Sequence, residues 1–279
     1  MTSTTQPPSE FAGAHGSQTP GEITTGAGSG MPLGAGGLPR PYYQHAGITI
    51  YHGDCRTILP HLQPFDLLLA DPPYGIDADN QKRILSRGKL AAAKDYGPSE
   101  WDKSPVEEWV MFLARRLCRS QIIWGGNYYE LPPAKCWLVW DKENGENDFA
   151  DCELAWTNLP KAVRRKKHLW NGMLRKGGEE RWHPTQKPLD VIAWALSQAP
   201  ADVMTVLDPW MGSGTALRAC KDAGKQCVGI EREEKWCEVA AMRLEQEVLP
   251  LGGGGGSETS PRHSESGNAP ISDGERRTL

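Results

Sequence analysis

Two periods alternate along this chain. Short apolar runs bounded by turn residues predict strands near 48–52, 65–70, 121–125, 136–140, 152–157, 203–207 and 226–230. Between them, segments near 55–62, 105–118, 188–199, 213–223 and 232–247 carry apolar residues at helical spacing. Ser104-Pro105 followed by Glu107 and Glu108 is a helix-start signature, with a cap, a proline at the first helical position and acids in the first turn. Pro188 likewise opens a helix, with Val191, Ile192, Ala195 and Leu196 on one face. Strands alternating with helices predict an α/β fold: a mainly parallel seven-stranded sheet with helices on both faces. Residues 136–157 read as two strands without an intervening helix, so an antiparallel hairpin is expected at the sheet edge.

The ends break this pattern. Residues 1–41 are rich in Gly, Pro, Ser and Thr, and residues 251–279 open with a glycine run and continue polar. Neither can bury enough apolar surface to offset the entropy of ordering, so both are expected to be disordered tails. The folded domain is expected over 42–250: one half at 42–160, a basic segment at 161–187 and a second half at 188–250. No charged-then-apolar leader opens the chain, and no apolar run is long enough to span a bilayer. Seven cysteines without C-x-x-C spacing argue against a zinc site and read as reduced thiols of a cytoplasmic protein.

Two strand-then-turn elements carry the chemistry. Asp71-Pro72-Pro73-Tyr74 ends the run Phe65–Ala70. An exocyclic amine on a flat base is a poor nucleophile because its lone pair is delocalised into the ring. Asp71 can accept one of its N–H groups and the Pro72 carbonyl the other, which favours a pyramidal nitrogen. Pro72 and Pro73 fix φ and so the carbonyl direction, and Tyr74 offers a ring face for stacking on an extruded base. The second element, Asp208-Pro209-Trp210-Met211-Gly212-Ser213-Gly214-Thr215, follows the apolar run Val203–Leu207. Gly212 and Gly214 permit a tight turn and close approach of a ligand, and the helix that follows aims free N–H groups at the turn. The glycine spacing matches neither a dinucleotide fingerprint nor a phosphate loop, so a carboxylate suits the turn as well as a phosphate. Asp208 suits a cation. S-adenosylmethionine, with its sulfonium, ammonium and carboxylate, fits this set. Glu231 ends the next strand, about 20 residues after the glycine turn, where nucleotide-binding βαβ units place a ribose-binding acid.

With these two turns in this order, the chain resembles the DNA amino-methyltransferases of the permuted β group. Two further segments carry the resemblance: Gly53-Asp54-Cys55, and His183-Pro184-Thr185-Gln186-Lys187-Pro188 just before the second apolar run. The likeness covers about residues 42–248. It implies a Rossmann-like methyltransferase fold and an S-adenosylmethionine cofactor. It implies that Asp71, Pro72, Pro73 and Tyr74 hold and stack the target base. Asp208, Gly212 and Gly214 would cradle the methionine part of the cofactor, and Asp71, Pro209, Trp210 and Thr215 would also bind the cofactor. Glu231 would take the ribose, and Asp54 with Cys55 the adenine. Thr185 and Lys187 would sit near the cofactor carboxylate, although the charge of Lys187 suits a DNA phosphate equally. The cofactor turn departs from the family in having Trp210 where Phe is usual, and no family pattern matches Ile76–Trp101. Asp at the head of the catalytic turn is associated in the family with adenine N6, and Ser with cytosine N4.

Charge adds one point. The chain carries a net −4, unfavourable for a DNA binder, yet 161–187 holds nine Lys or Arg against two Glu. Arg164, Arg165, Lys166, Lys167, Arg175, Lys176 and Arg181, interleaved with His168, Trp170 and Trp182, are the expected contacts to double-stranded DNA. The lysines and arginines of 77–103 fit either a segment folded over DNA or a surface loop, and Asn127 and Tyr128 are further candidates for the base pocket. The resulting expectation is an adenine-N6 DNA methyltransferase of a bacterial or phage-infected cytosol. A cytosine-N4 enzyme and a catalytically dead DNA-binding relative are the alternatives. A cognate restriction endonuclease is an open partner, and a monomer or a dimer fits equally.

Overall fold

A computed structural model describes residues 22–23, 37–75, 104–143, 150–171, 174–175, 180–183 and 185–246. The described residues belong to a compact unit that ends at Gln246. Loop 77–103, Lys176 and the tail 251–279 lie outside them, as does most of 1–41.

The strands in chain order are β1 (Glu22–Ile23), β2 (Tyr43–His45), β3 (Ile48–His52), β4 (Phe65–Ala70), β5 (Cys118–Trp124), β6 (Trp137–Asp141), β7 (Cys152–Thr157), β8 (Arg164–Lys167), β9 (Trp170–Asn171), β10 (Leu174–Arg175), β11 (Thr205–Asp208) and β12 (Gln226–Glu231). The helices are α1 (Cys55–Ile58), α2 (Glu108–Arg116), α3 (Leu189–Ser197), α4 (Thr215–Asp222) and α5 (Glu234–Glu245). Ten strands form one sheet in the order β1-β2-β3-β12-β11-β4-β5-β7-β6-β8, and β9 pairs with β10 separately. The central five, β3-β12-β11-β4-β5, run parallel.

The sheet therefore has ten strands where seven were expected. The additions are short. β1 and β2 extend one edge antiparallel, with Glu22 opposite Gln44 and Tyr43 opposite Ile50. β1 thus lies within the stretch expected to be a disordered tail. At the other edge the β6–β7 hairpin forms as expected, but it is not terminal. β8, Arg-Arg-Lys-Lys, pairs parallel to β6 and becomes the edge. A strand of four cations shows no alternation, and its charges protect the open edge from pairing with another chain.

Alternate residues of the inner strands serve two cores. Leu67 and Leu69 join Ile122, Val206 and Leu217 beneath α3, α4 and α5. Leu68 and Ala70 join Ile123, Leu207, Val110 and Met111 beneath α1 and α2. Because both faces are covered, β4 reads as a continuous apolar run. α2 starts at Glu108 rather than near Pro105, with Glu107 in an extended cap position whose side chain does not cap the helix. Pro105 is instead drawn into an isolated bridge with Tyr74, which ties the approach to α2 to the catalytic turn. α3 begins as expected beside Pro188 and buries Val191, Ile192, Ala195 and Leu196.

Leu67 is fully buried at the centre of the sheet. Leu67→Ala is expected to cost about 2–5 kcal/mol of stability, seen as a lower denaturant midpoint with an unchanged slope.

Candidate active site

Parallel pairing brings four strand ends together. Asp208 ends β11, and β4, whose run leads into Asp71, lies directly beside it. Glu231 ends β12 on the other side of β11, and β3 beyond it leads into Asp54. All four acids line one cavity of about 430 Å3 at the C-terminal end of the sheet, the place where open α/β sheets bind ligands.

The wall built by β11 and β12 is a backbone cradle. Gly212 and Gly214 have positive φ, +49° and +76°. A Cβ at Gly214 would also lie 2.7 Å from the Ala240 Cβ of α5, so the turn and that helix pack through a missing side chain. Gly229 has the same role within β12, where a Cβ would approach Met211 Sδ at 2.6 Å. Arg243, buried beneath the turn, donates to the Ser213 carbonyl at 2.6 Å, to Ser213 Oγ at 3.0 Å and to Thr215 Oγ1 at 3.3 Å. A lone Arg on an otherwise ordinary helix gives no sequence signal, and only the fold reveals its place.

Two acids of this wall are held in an unfavourable state. Burial pushes the Asp208 carboxyl up to about 8, against the Trp210 amide that donates to it at 3.2 Å. Burial pushes Glu231 up to about 7, although its oxygens accept from the Glu233 amide at 2.8 Å and the Gly212 amide at 3.1 Å. Buried carboxylates beside a glycine turn suit a ligand that brings positive charge. The residues present therefore fit S-adenosylmethionine: Asp208 would complement its cationic methionine part, Glu231 would accept from its ribose hydroxyls, and the turn would receive its main chain.

The neighbouring residues are placed as follows. Asp54 caps α1, accepting from the Arg56 amide at 2.9 Å. Its carboxylate is also gripped by the Arg56 guanidinium at 2.9 and 2.5 Å, which holds it below the usual carboxylate range. Arg56 lines the cavity with Asp54 and Cys55 and was not anticipated from sequence. Pro209, Trp210 and Thr185 also line it. Thr185 Oγ1 lies 3.0 Å from His183 Nδ1, and the His183 ring stands edge-on to Trp236 at 4.4 Å. Gln186 ties this segment together by accepting from the Trp182 amide at 2.8 Å and donating to the Glu180 carbonyl at 3.1 Å.

The wall built by β4 is aromatic. Tyr74 stacks on Tyr128 with ring centroids 4.9 Å apart and 16° between planes. Its hydroxyl donates to Asp71 Oδ1 at 2.5 Å. The Tyr129 hydroxyl donates to the Pro73 carbonyl. Gly125, at φ +65°, backs directly onto the Tyr74 ring, where any Cβ would overlap it at 2.0 Å. Lys187 lies against this wall rather than at the surface, 6% exposed and 2.5 Å from Asp71 Oδ1, which removes it from reach of a DNA phosphate.

The basic segment is partly neutralised. Arg165 pairs with Asp141 at 3.8 Å, Lys166 with Asp190 at 2.8 Å and Lys167 with Glu143 at 3.3 Å. Arg164 is exposed, and Arg181 donates to the His183 carbonyl at 3.2 Å. Arg175 falls in β10, with its side chain outside the described residues, as is Lys176.

Residues 129–242 match the family model for N6/N4 methyltransferases, described as DNA methylase. Over this span the chain is similar to the N6/N4 DNA methylases. Among curated relatives, it is 28% identical over 255 residues to the type II methyltransferase M.HinfI of Haemophilus influenzae, covering 72% of this chain and 69% of that one. It is 25% identical over 259 residues to the type II methyltransferase M2.DpnII of Streptococcus pneumoniae, covering 75% and 94%. Among solved structures, M1.HpyAVI in complex with SAM is 23% identical with a TM-score of 0.46, covering 71% of this chain and 98% of that one. The matched span holds the basic strand, the cofactor turn and Glu231, while the Asp71 turn precedes it.

The raised acids make the ligand-free protein pH-sensitive in a definite direction. Asp208 and Glu231 bind protons more tightly folded than unfolded, so the fold holds more protons between their ordinary range near pH 4 and about 7–8. Their contribution is present below that window and lost as pH rises through it, by at most about 1.4 kcal/mol per pH unit for each group. The melting temperature of the ligand-free chain is expected to fall from pH about 5 to about 9. Asp208→Asn is expected to flatten that dependence in a thermal scan.

Proposed function

We propose that this protein transfers the methyl group of S-adenosylmethionine to the exocyclic N6 amine of an adenine flipped out of duplex DNA. One observation carries the reading: the Asp71 turn and the Asp208–Glu231 cradle end neighbouring parallel strands and open into the same cavity. An amine held at the first lies beside a methyl donor held at the second.

S-adenosylmethionine supplies a methyl carbon made electrophilic by its sulfonium. The protein supplies the rest. Asp71 and the Pro72 carbonyl accept the two N–H groups and free the nitrogen lone pair toward the donor, stabilisation that grows as charge develops on nitrogen. After the C–N bond forms and the C–S bond breaks, the extra proton leaves nitrogen through Asp71 or to water. Tyr128, exposed and stacked on Tyr74, supplies ring surface for the base, which must leave the duplex to reach it. Asp54 and Cys55 with Glu231 serve the adenosine part of the cofactor, and Asp208, Gly212 and Gly214 the methionine part. Asp71 at the head of the turn supports adenine as the target, by the association stated above.

DNA approaches along the β8 side. Four strand spacings separate β8 from β4, roughly 19 Å, so the basic strand suits backbone contacts away from the flipped base. The exposed cations Arg165 and Lys167 exchange surface pairs, each worth about 0–1 kcal/mol, for phosphates at little cost, and Arg164 is exposed beside them.

Product analysis tests the reading. Purified protein with unmethylated DNA and S-adenosylmethionine is expected to give N6-methyldeoxyadenosine after digestion to nucleosides, detected by mass spectrometry. N4-methylcytosine as the sole product would replace adenine by cytosine, and no methylated nucleoside would overturn the assignment. Asp71→Ala is expected to lower turnover by roughly 10²–10³-fold while cofactor affinity measured by calorimetry stays within a few-fold.

A further inference from the structure

Asp71 is one end of a row of alternating charges. Lys187 Nζ lies 2.5 Å from Asp71 Oδ1 and 3.0 Å from the Tyr74 hydroxyl. On its other side it lies 3.2 Å from Glu153 Oε2, and Glu153 Oε1 meets Lys142 Nζ at 2.7 Å. The Tyr74 and Trp124 rings flank the ammonium, each with its centroid 5.5 Å away. The row draws on the catalytic turn, the segment before α3, strand β7 and the end of β6. The roles assigned so far use neither Glu153 nor Lys142, and leave Lys187 unassigned.

We propose that Lys187 and Glu153 are a positioning pair for the catalytic turn: Lys187 orients the Asp71 carboxylate, and Glu153 holds Lys187 in place and charged. The inference rests on the reading of the site as an amino-methylating centre.

Geometry supplies the reason. Lys187 and Tyr74 both bond Oδ1 of Asp71, which blocks rotation of the carboxylate and assigns Oδ2 to the amine. A single ammonium with one carboxylate would be neutral, and Asp71 would be spent on it. With Glu153 opposite, the ammonium is shared between two anions, and Asp71 keeps acceptor strength for the substrate. Removing Lys187 would leave Asp71 and Glu153 facing each other without the cation between them, with Asp208 nearby on the cofactor side.

Charge state provides a readout that a packing role would not move. The groups facing Lys187 are Asp71 and Tyr74 on the catalytic turn, Glu153 on β7 with Lys142 behind it, and Asp208 on β11. Burial pulls the Lys187 ammonium down, but Asp71 and Glu153 outweigh it and hold the proton above the usual lysine range. Without the Glu153 charge, burial gains ground and the proton is lost at lower pH.

The experiment is steady-state methylation of DNA by the full chain from pH about 6 to about 10, with cofactor affinity from calorimetry. In Glu153→Gln the alkaline limb of kcat is expected to move down into this range, where the unsubstituted chain, its Lys187 held above the usual lysine range, shows none, with cofactor affinity unchanged. Glu153→Asp, which keeps the charge, is expected to take the limb back out of it. Lys187→Gln is expected to lower kcat by roughly a hundredfold with cofactor affinity retained. Absence of such a limb in Glu153→Gln would overturn the pairing. So would a Lys187→Gln chain that keeps kcat and loses cofactor affinity, which would assign the ammonium to the cofactor carboxylate. Failure of the functional reading looks different: the unsubstituted chain itself would then give no methylated nucleoside, and the inference would fall with it.

Discussion

Like charges at adjacent strand ends are the constraint on which the rest of this site depends. Asp54, Glu231, Asp208 and Asp71 sit at or just beyond the ends of β3, β12, β11 and β4, in that spatial order. Burial of several carboxylates in one cavity is costly unless cations or protons answer them. The structure answers each differently. Arg56 grips Asp54, Lys187 meets Asp71, and Asp208 and Glu231 hold protons that they would ordinarily have lost. The two acids left without a protein cation at hydrogen-bonding distance, among the described residues, are the two on the glycine-turn side of the cavity.

This division explains why the two walls differ in build. The cofactor wall is backbone, held close by Gly212, Gly214 and Gly229 and braced from below by Arg243. The base wall is side chain: Tyr74 on Tyr128, backed by Gly125 and flanked by Lys187. Backbone amides suit a ligand that must be bound in one pose at every turnover. Stacked rings suit a base that arrives from a polymer and is read mainly by its flat face.

Much of this was legible before the fold. Strong apolar runs located β4, β11 and β12, and the two turns named themselves because proline and glycine restrict the backbone in recognisable ways. What escaped was set by distance or by weakness of pattern. Glu153, Lys142 and Arg56 are single charges on ordinary segments, and they acquire meaning only when strands far apart in sequence are laid side by side. β1, β2 and β8 are two to four residues long and lack a clean alternation, so no periodicity could announce them. The start of α2 was misplaced because Ser104-Pro105 is a good cap by composition, yet its backbone is claimed by Tyr74.

The order of strands also bears on how the molecule comes to exist. β3 and β4 are consecutive in the chain but stand three places apart in the sheet, with β12 and β11 between them. Until residues past 200 have been made, β3 and β4 lack the two strands that join them in the sheet. The Asp66 carboxylate of β4 takes the Met204 and Thr205 amides at 2.9 Å and the Thr205 hydroxyl at 2.9 Å. Synthesis proceeds from the N-terminus, so the centre of this protein is laid down after its flanks. The cofactor cradle and the centre of the sheet are built from the same C-terminal stretch, and a half-made chain has neither.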